Sequence, residues 1–349
     1  MPITSPHKHP ALMAFLVILG GSLVLHASGT RTVVAPPTIS PNIPPLHILA
    51  PYTWPAPLPQ YPVVITDFSS GDVGLLGART VATGGGPHGL AIQPGGRFIW
   101  VMNSGGSTVW VFDRQLQQRV ATIAVGMAPV HAVFSPDGAT AYVTDFGGSD
   151  VTIVDVATRH AIGRMSTPSE PHAIAISPDG HTLYVVCVSG GALVLLDTRT
   201  RQMTHTLLLP DGAPYGVTVS PDGKRVFVSA ALWGQVVSVD TATVKLTGAV
   251  PVGERPALVT WIPGSSRLLV ANNSSGTISI VETTTMQELA RIATGEGPHG
   301  VAATPDGRFL LVANTRANAV TLLDAETLRP VAQVAVGKFP TDVAALPPE

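Results

Sequence analysis

A chain of 349 residues with 45% hydrophobic and only 12% charged residues has about half the charge density of an average soluble protein. Its formal net charge of −2 gives no electrostatic basis for holding a nucleic acid or an anionic membrane surface, so neither is expected as a partner. The single cysteine, Cys187, rules out an internal disulfide, a CxxCH haem attachment and a Cys-rich zinc site.

The chain begins "MPITSPHKHP", continues with the fifteen-residue apolar or small run "ALMAFLVILGGSLVL", and then reads "HASG". That order of basic, apolar and small residues is the pattern of an export signal, with Ala27 as the cleavage position. The run is shorter than the roughly 20 residues a spanning helix needs. Residues 1–27 are therefore read as an export signal, or, if uncleaved, as an N-terminal anchor and the sole membrane contact. No cysteine follows to carry a lipid. The body is expected outside the cytoplasm, periplasmic or secreted. Residues 28–61 read as a linker: ten prolines fall within 35–62, which forbids a helix or a central strand and favours an extended spacer.

From residue 62 the chain is periodic. "GPHGLAIQPGG", "APVHAVFSPDG", "EPHAIAISPDG", "APYGVTVSPDG", "RPALVTWIPGS", "GPHGVAATPDG" and "FPTDVAALPPE" begin at leading prolines 87, 129, 171, 214, 256, 298 and 340, spaced 42, 42, 43, 42, 42 and 42. A second proline follows seven residues later each time, and an acidic residue 26 later in the six full units (Asp113, Asp155, Asp197, Asp240, Glu282, Asp324). A register of this length filled with short strands predicts a β-propeller. Each unit reads as four strands, in the sixth near 300–304, 309–313, 319–323 and 330–335, with "PDG" as the tight turn between the first two. The repeated acidic residue is expected to cap the turn before the fourth strand. The seventh phrase supplies one strand, and "VVITDF", "GLLGA" and "TVATG" at 63–84 supply three. The fold class is thus all-β, a seven-bladed propeller over 62–349 closed by a composite blade, which removes open sheet edges.

The segments "LYVVCV", "AYVTDF", "LLVANN" and "LLVANT", each a fixed distance after an "SPDG"-like turn, resemble the YVTN-type β-propeller repeat family, and the resemblance spans about residues 62–349. No Trp-Asp pair ends a third strand, so the WD40 pattern is absent. The resemblance implies the seven-bladed fold. For function it implies a range: cell-surface and periplasmic binding proteins, with similar repeats in haem d1-binding propellers and in seven-bladed lactonases and lyases.

Ligand chemistry is expected where blades differ, on the face carrying the second-to-third loops and the crossovers between blades. The slot after each leading proline holds His88, Val130, His172, Tyr215, Ala257, His299 and Thr341; the next holds Gly89, His131, Ala173, Gly216, Leu258, Gly300 and Asp342. Both begin the inner strand and should ring the mouth of the channel. His88, His131, His172, Tyr215, His299 and Asp342 are the candidate ligand-binding set, with Arg255, Arg316, Trp233 and Lys338 added because each occurs once on that face. Histidine is the commonest metal ligand, which makes His88, His172 and His299 candidate metal ligands, although sequence order spreads them round the ring. A metal ion or a tetrapyrrole is a possible cofactor, and the sequence requires neither. The competing reading is a scaffold role, with imidazoles bonded to loop carbonyls. The remaining histidines (7, 9, 26, 47, 160, 181 and 205) lie in the leader, the linker or turns of the other face. A second recurring position, Asn103, Asp145, Cys187, Ala230, Asn272, Asn314 and Asp67, is expected to bond loop backbone. No GxSxG, HExxH, phosphate-binding loop or GxGxxG occurs in its required setting. The expected function is a ligand- or protein-binding scaffold acting through the channel face; the alternative is a cofactor-binding propeller or a lactonase- or lyase-like enzyme using the rim histidines.

Overall fold

Runs such as "TLYVVC" and "ALVLLD" combine β-branched and aromatic residues with a turn at each end, and form six-residue strands buried on both sides. A computed structural model describes residues 47–49, 61–209 and 211–348; the segment read as an export signal and most of that read as a linker fall outside them. Twenty-four strands form blades 1 to 6, each in simple antiparallel order, and the first strand of each blade begins at its leading proline. The sixth blade comprises Pro298–Ala303, Phe309–Asn314, Ala319–Asp324 and Pro330–Ala335. Blade 7 is composite as expected: Pro340–Ala345 pairs antiparallel with Val63–Asp67, which continues to Asp72–Leu75 and Arg79–Ala82. Among the described residues no helix is long and apolar enough to cross a membrane.

One strand was unforeseen. His47–Leu49, inside the Pro-rich stretch, pairs with Thr80–Ala82 and gives blade 7 a fifth, outermost strand. It lies between Pro45 and Pro51, and an edge is the place where a proline-flanked strand is tolerated.

The core lies between neighbouring blades. Trp100, Met102, Val109 and Val111 of blade 1 pack on Ala141, Val143 and Val154 of blade 2. At the closure, Val63, Ile65 and Val343 pack on Leu311, Ala313, Val320 and Leu322 of blade 6, and Val64, Val73 and Val81 pack on Ile99, Val101 and Phe112 of blade 1. Each such fully buried side chain contributes about 1.5–3 kcal/mol, so the termini are held in the ring by the same packing as any other blade. The turns obey the sequence reading. Asp137 accepts the Ala139 N–H at 3.0 Å in the "PDG" turn of blade 2, and Asp155, Asp197, Asp240 and Asp324 accept N–H bonds from Thr158, Thr200, Thr243 and Thr327.

Two irregularities position the channel face. Every inner strand carries a bulge just after its proline. In blade 1, Pro87 faces Asn103 and Leu90 faces Val101, so His88 and Gly89 together oppose Met102; blades 2 to 7 repeat this. In addition, the residue before each leading proline has positive φ: Gly86 58°, Ala128 52°, Glu170 60°, Ala213 45°, Arg255 48°, Gly297 71° and Phe339 59°. Five of the seven carry a side chain in a region that favours glycine.

Candidate functional site

The bulge decides which side chains reach the axis. A regular strand sends successive residues to opposite faces, whereas a bulge re-aims them. At this bulge both the slot residue and its successor turn inward. His88 and His172 from slots, and His131 from the following position, consequently stand in contact: ring centroids are 5.2 Å apart for His88–His131, 5.0 Å for His131–His172 and 5.6 Å for His88–His172. His299 lies 5.7 Å from His88 and 6.5 Å from His172. The expectation that His88, His172 and His299 are spread round a mouth is therefore corrected. Blades 1, 3 and 6 are apart in sequence, but their inner strands converge on the axis and the rings meet there. The histidines also do not rim an open mouth; His88 and His172 are 0% exposed, His299 1% and His131 9%.

The slot histidines have a structural task that explains why the repeat keeps them. Three joints between blades are bridged by an imidazole whose Nδ1 meets the slot carbonyl of the next blade: His88 to Val130 at 3.4 Å, His172 to Tyr215 at 3.0 Å and His299 to Thr341 at 2.8 Å. Three more are bridged by a hydroxyl of the second strand: Thr66 to His88 at 2.8 Å, Thr144 to His172 at 2.7 Å and Ser229 to Ala257 at 2.5 Å. The two devices exclude each other. Blades with a slot histidine carry Met102, Val186 or Ala313 at the hydroxyl position. Blade 5 has Ala257 and Ala271 at the two positions and so offers neither group to blade 6. Because a carbonyl only accepts, Nδ1 of His88, His172 and His299 carries the proton and Nε2 carries the lone pair.

The cluster is uncharged at its base. Burial, reinforced by the neighbouring imidazoles, holds His88 and His172 well below the usual histidine range. Burial pushes His131 down to about 3, with His299 adding to the effect, and His299 itself to about 4 against the opposing bond to Thr341. Asp342 completes the group: its Oδ2 lies 3.8 Å from His131 Nδ1, and burial lifts its carboxyl to about 7 although the Leu90 and Val343 N–H groups bond to it. The Tyr215 hydroxyl meets His299 Nε2 at 3.0 Å; since that nitrogen carries the lone pair, the phenol donates. Above the rings stand aromatic side chains that sequence reasoning missed. Phe68 is edge-on to His88 at 6.2 Å and to Phe339 at 6.4 Å, and Phe146 is edge-on to His172 at 6.1 Å. Their signal was present, since "DFSSGD" at 67–72 and "DFGGSD" at 145–150 are the same loop written twice.

The other candidates lie elsewhere on the channel face. Arg316 donates to Asn273, through Nη1 to Oδ1 at 3.0 Å and through Nη2 to the carbonyl at 2.6 Å, and so ties blade 6 to blade 5. Trp233, 37% exposed, lies against Gly212. Arg255 is half-buried at a positive-φ crossover. The backbone amide of Lys338 accompanies the composite blade, its N–H donating to Ser70 Oγ. In blades 2, 5 and 6 the Asn/Asp position bonds hydroxyls of the third strand rather than loop backbone: Thr152 to Asp145 at 2.5 Å, Asn272 to Ser279 at 2.8 Å and Asn314 to Thr321 at 2.9 Å. A tetrapyrrole is wider than any gap within the cluster, so the packed imidazoles offer it no place between them.

Residues 254–341 match the YNCE-like beta-propeller family and residues 75–186 the lactonase seven-bladed beta-propeller family. No curated protein matches the chain. Among solved structures, a functionally unknown protein from Desulfotomaculum acetoxidans is 16% identical with a TM-score of 0.72, covering 83% of this chain and 99% of its own. Hydrazine synthase from Kuenenia stuttgartiensis is 22% identical with a TM-score of 0.68, covering 76% and 93%. A putative 6-phosphogluconolactonase from Bacteroides fragilis is 15% identical with a TM-score of 0.67, covering 82% and 97%. At such identities the likeness is one of fold.

Proposed function

Starting from a seven-bladed propeller of the YNCE and lactonase type, we propose that this chain is a binding propeller that takes a small ligand on its axis. The observation that carries the reading is convergence. Six groups able to bond a ligand, His88, His131, His172, Tyr215, His299 and Asp342, come from six different blades to one buried place. The bridges between blades use only Nδ1 of His88, His172 and His299 and so account neither for their inward Nε2 atoms nor for His131, the Tyr215 hydroxyl and Asp342 beside them. Burying polar groups costs free energy unless they are bonded, and concentrating them under an apolar rim is the usual composition of a small-molecule site. Burial also favours a small ligand over a protein, since even the two most accessible of the six, His131 and Asp342, have side chains only 11% and 12% exposed. We place the propeller outside the cytoplasm on the strength of the apolar run at 11–25, with a net charge of −2 offering nothing to nucleic acid.

A melting-temperature panel tests this. The full chain and a His131→Ala/Asp342→Ala variant are each melted with Zn²⁺, Cu²⁺, phosphate, citrate and benzoate. The reading expects at least one of these to raise the melting temperature of the wild type by several degrees and to leave the variant unmoved. A panel in which wild type and variant respond alike to every compound refutes it.

A further inference from the structure

The geometry points to a single divalent transition-metal ion, held by His88, His172 and His299, as the axial ligand; this inference rests on the reading of the cluster as a ligand site. One ring nitrogen from each of these residues lies within 4.8 Å of one from the other two. The centre of an equilateral triangle of that edge is about 2.8 Å from each corner, against about 2.0–2.1 Å for a zinc–imidazole bond. Each ring therefore needs to close by less than about 1 Å to grip an ion.

The outer contacts are already those of ligating histidines. A metal-bound imidazole almost always donates its other N–H to a carbonyl or carboxylate, which fixes tautomer and ring orientation. Here the Val130, Tyr215 and Thr341 carbonyls do so for His88, His172 and His299. The bridge between blades and the preparation of the donor are one and the same hydrogen bond. A second, independent observation is His131: 9% exposed, it stands against His88 and His172, and its Nε2 is buried with no hydrogen-bond partner among the described residues. It is placed to serve as a fourth ligand or to hold a water on the ion. The Tyr215 hydroxyl, which now donates to His299 Nε2, releases that nitrogen when an ion enters. Asp342, beside His131, brings an acidic group to the cluster.

The donor set selects the metal. Neutral imidazoles suit zinc, copper, nickel and cobalt(II), whereas calcium and magnesium require a shell of oxygens. The site differs from a surface cluster of histidines because its geometry is fixed by backbone on three blades.

The test loads the full chain, stripped with chelator, with Co²⁺ and Zn²⁺ as the only additions. The expected result is one equivalent bound and a visible Co²⁺ spectrum of low coordination number. His172→Asn retains an N–H for the Tyr215 carbonyl and removes Nε2, so it should fold and lose at least about 100-fold in affinity; His181→Asn, on an exposed turn of the other face, should bind like wild type. X-ray absorption of the loaded wild type should count three or more imidazole donors, a result that stands even if a variant fails to fold. Fewer than three imidazoles, or equal binding by wild type and His172→Asn, overturns the inference. If neither ion binds but an organic or phosphate ligand of the melting panel separates wild type from the His131/Asp342 variant, the metal inference falls and the ligand site stands. If nothing binds, both fall.

Discussion

Ser229→Ala isolates what one joint of the inner ring is worth. The Ser229 hydroxyl is 0% exposed. It accepts the Gly216 N–H of its own blade at 2.8 Å and donates to the Ala257 carbonyl of the next at 2.5 Å. Removing it takes this partner from two backbone groups at once. A buried polar group stripped of its partner costs about 1–3 kcal/mol, so the variant should lose about 3 kcal/mol after partial relaxation. Ser229→Thr should lose less than Ser229→Ala, because it keeps both bonds, as Thr144 does in blade 2, accepting the His131 N–H at 3.2 Å and donating to the His172 carbonyl at 2.7 Å. The converse is Ala271→Ser. Ala271 holds the equivalent position in blade 5, facing the joint that has neither an imidazole nor a hydroxyl bridge at this level, and a hydroxyl there should accept from Leu258 N–H and donate to the His299 carbonyl, adding about 1 kcal/mol. Urea unfolding of the full chain, read by tryptophan fluorescence, gives all three values. A loss below about 0.5 kcal/mol for Ser229→Ala, together with no gain for Ala271→Ser, would refute the view that these bridges hold the ring.

Three further outcomes are expected. Gly89→Ala should cost about 3 kcal/mol in a melting experiment, since its Cβ would stand 2.0 Å from the Val130 carbonyl oxygen, a backbone atom that cannot step aside. Arg255→Gly should raise stability by up to about 1 kcal/mol by relieving a side chain at φ 48°, and a loss in urea unfolding would show that Arg255 makes contacts worth more than the strain. The apo protein should weaken in acid: His131 and His299, held at about 3 and about 4 when folded, give stability that is full above 6.5 and is lost as pH falls toward those values, about 2 kcal/mol each by pH 5. Asp342, raised to about 7, acts in the opposite sense, stabilising below 3.8 and losing that contribution as pH rises through 7. Asp342→Asn removes the counterweight and should steepen the loss between pH 7 and 5 in urea titrations at both values.

The ring and its seven-fold count were legible because a period near 42 is a property of spacing, and spacing survives in one dimension. The composite blade was legible for the same reason: a strand missing at one end and three missing at the other make one blade. Convergence of His88, His172 and His299 was not, since it depends on the tilt of the inner strands and on a bulge that leaves no mark in the hydrophobic pattern. The role of the slot histidine hid in a pair of columns. Read singly, the slot looks irregular. Read beside the residue fifteen positions after the proline, it is regular, because wherever one column lacks a donor the other supplies it, blade 5 excepted. Arg316 was drawn to notice by its rarity on the channel face, yet its guanidinium is engaged in joining two blades. The strand at 47–49 escaped because prolines argue against a central strand and are silent about an outermost one.

The closure of blade 7 also sets an order in time. Val63 pairs with Ala345 and Asp67 with Pro340, so nearly the whole domain lies between partners. Bringing together the ends of a flexible chain of that length costs about 5 kcal/mol in entropy by the logarithmic loop law. Blades 1 to 6 are each made of strands adjacent along the chain and can form as soon as they are synthesised. The three strands at 63–82 are made before blades 1 to 6 and gain their inner partner, Pro340–Ala345, only after them. The newborn protein is therefore an open arc with a bare β-edge at its front, and it becomes a ring in one late step. Once shut, the ring opens at this blade only by breaking the pairing of Pro340–Ala345 with Val63–Asp67 together with packing against its neighbours.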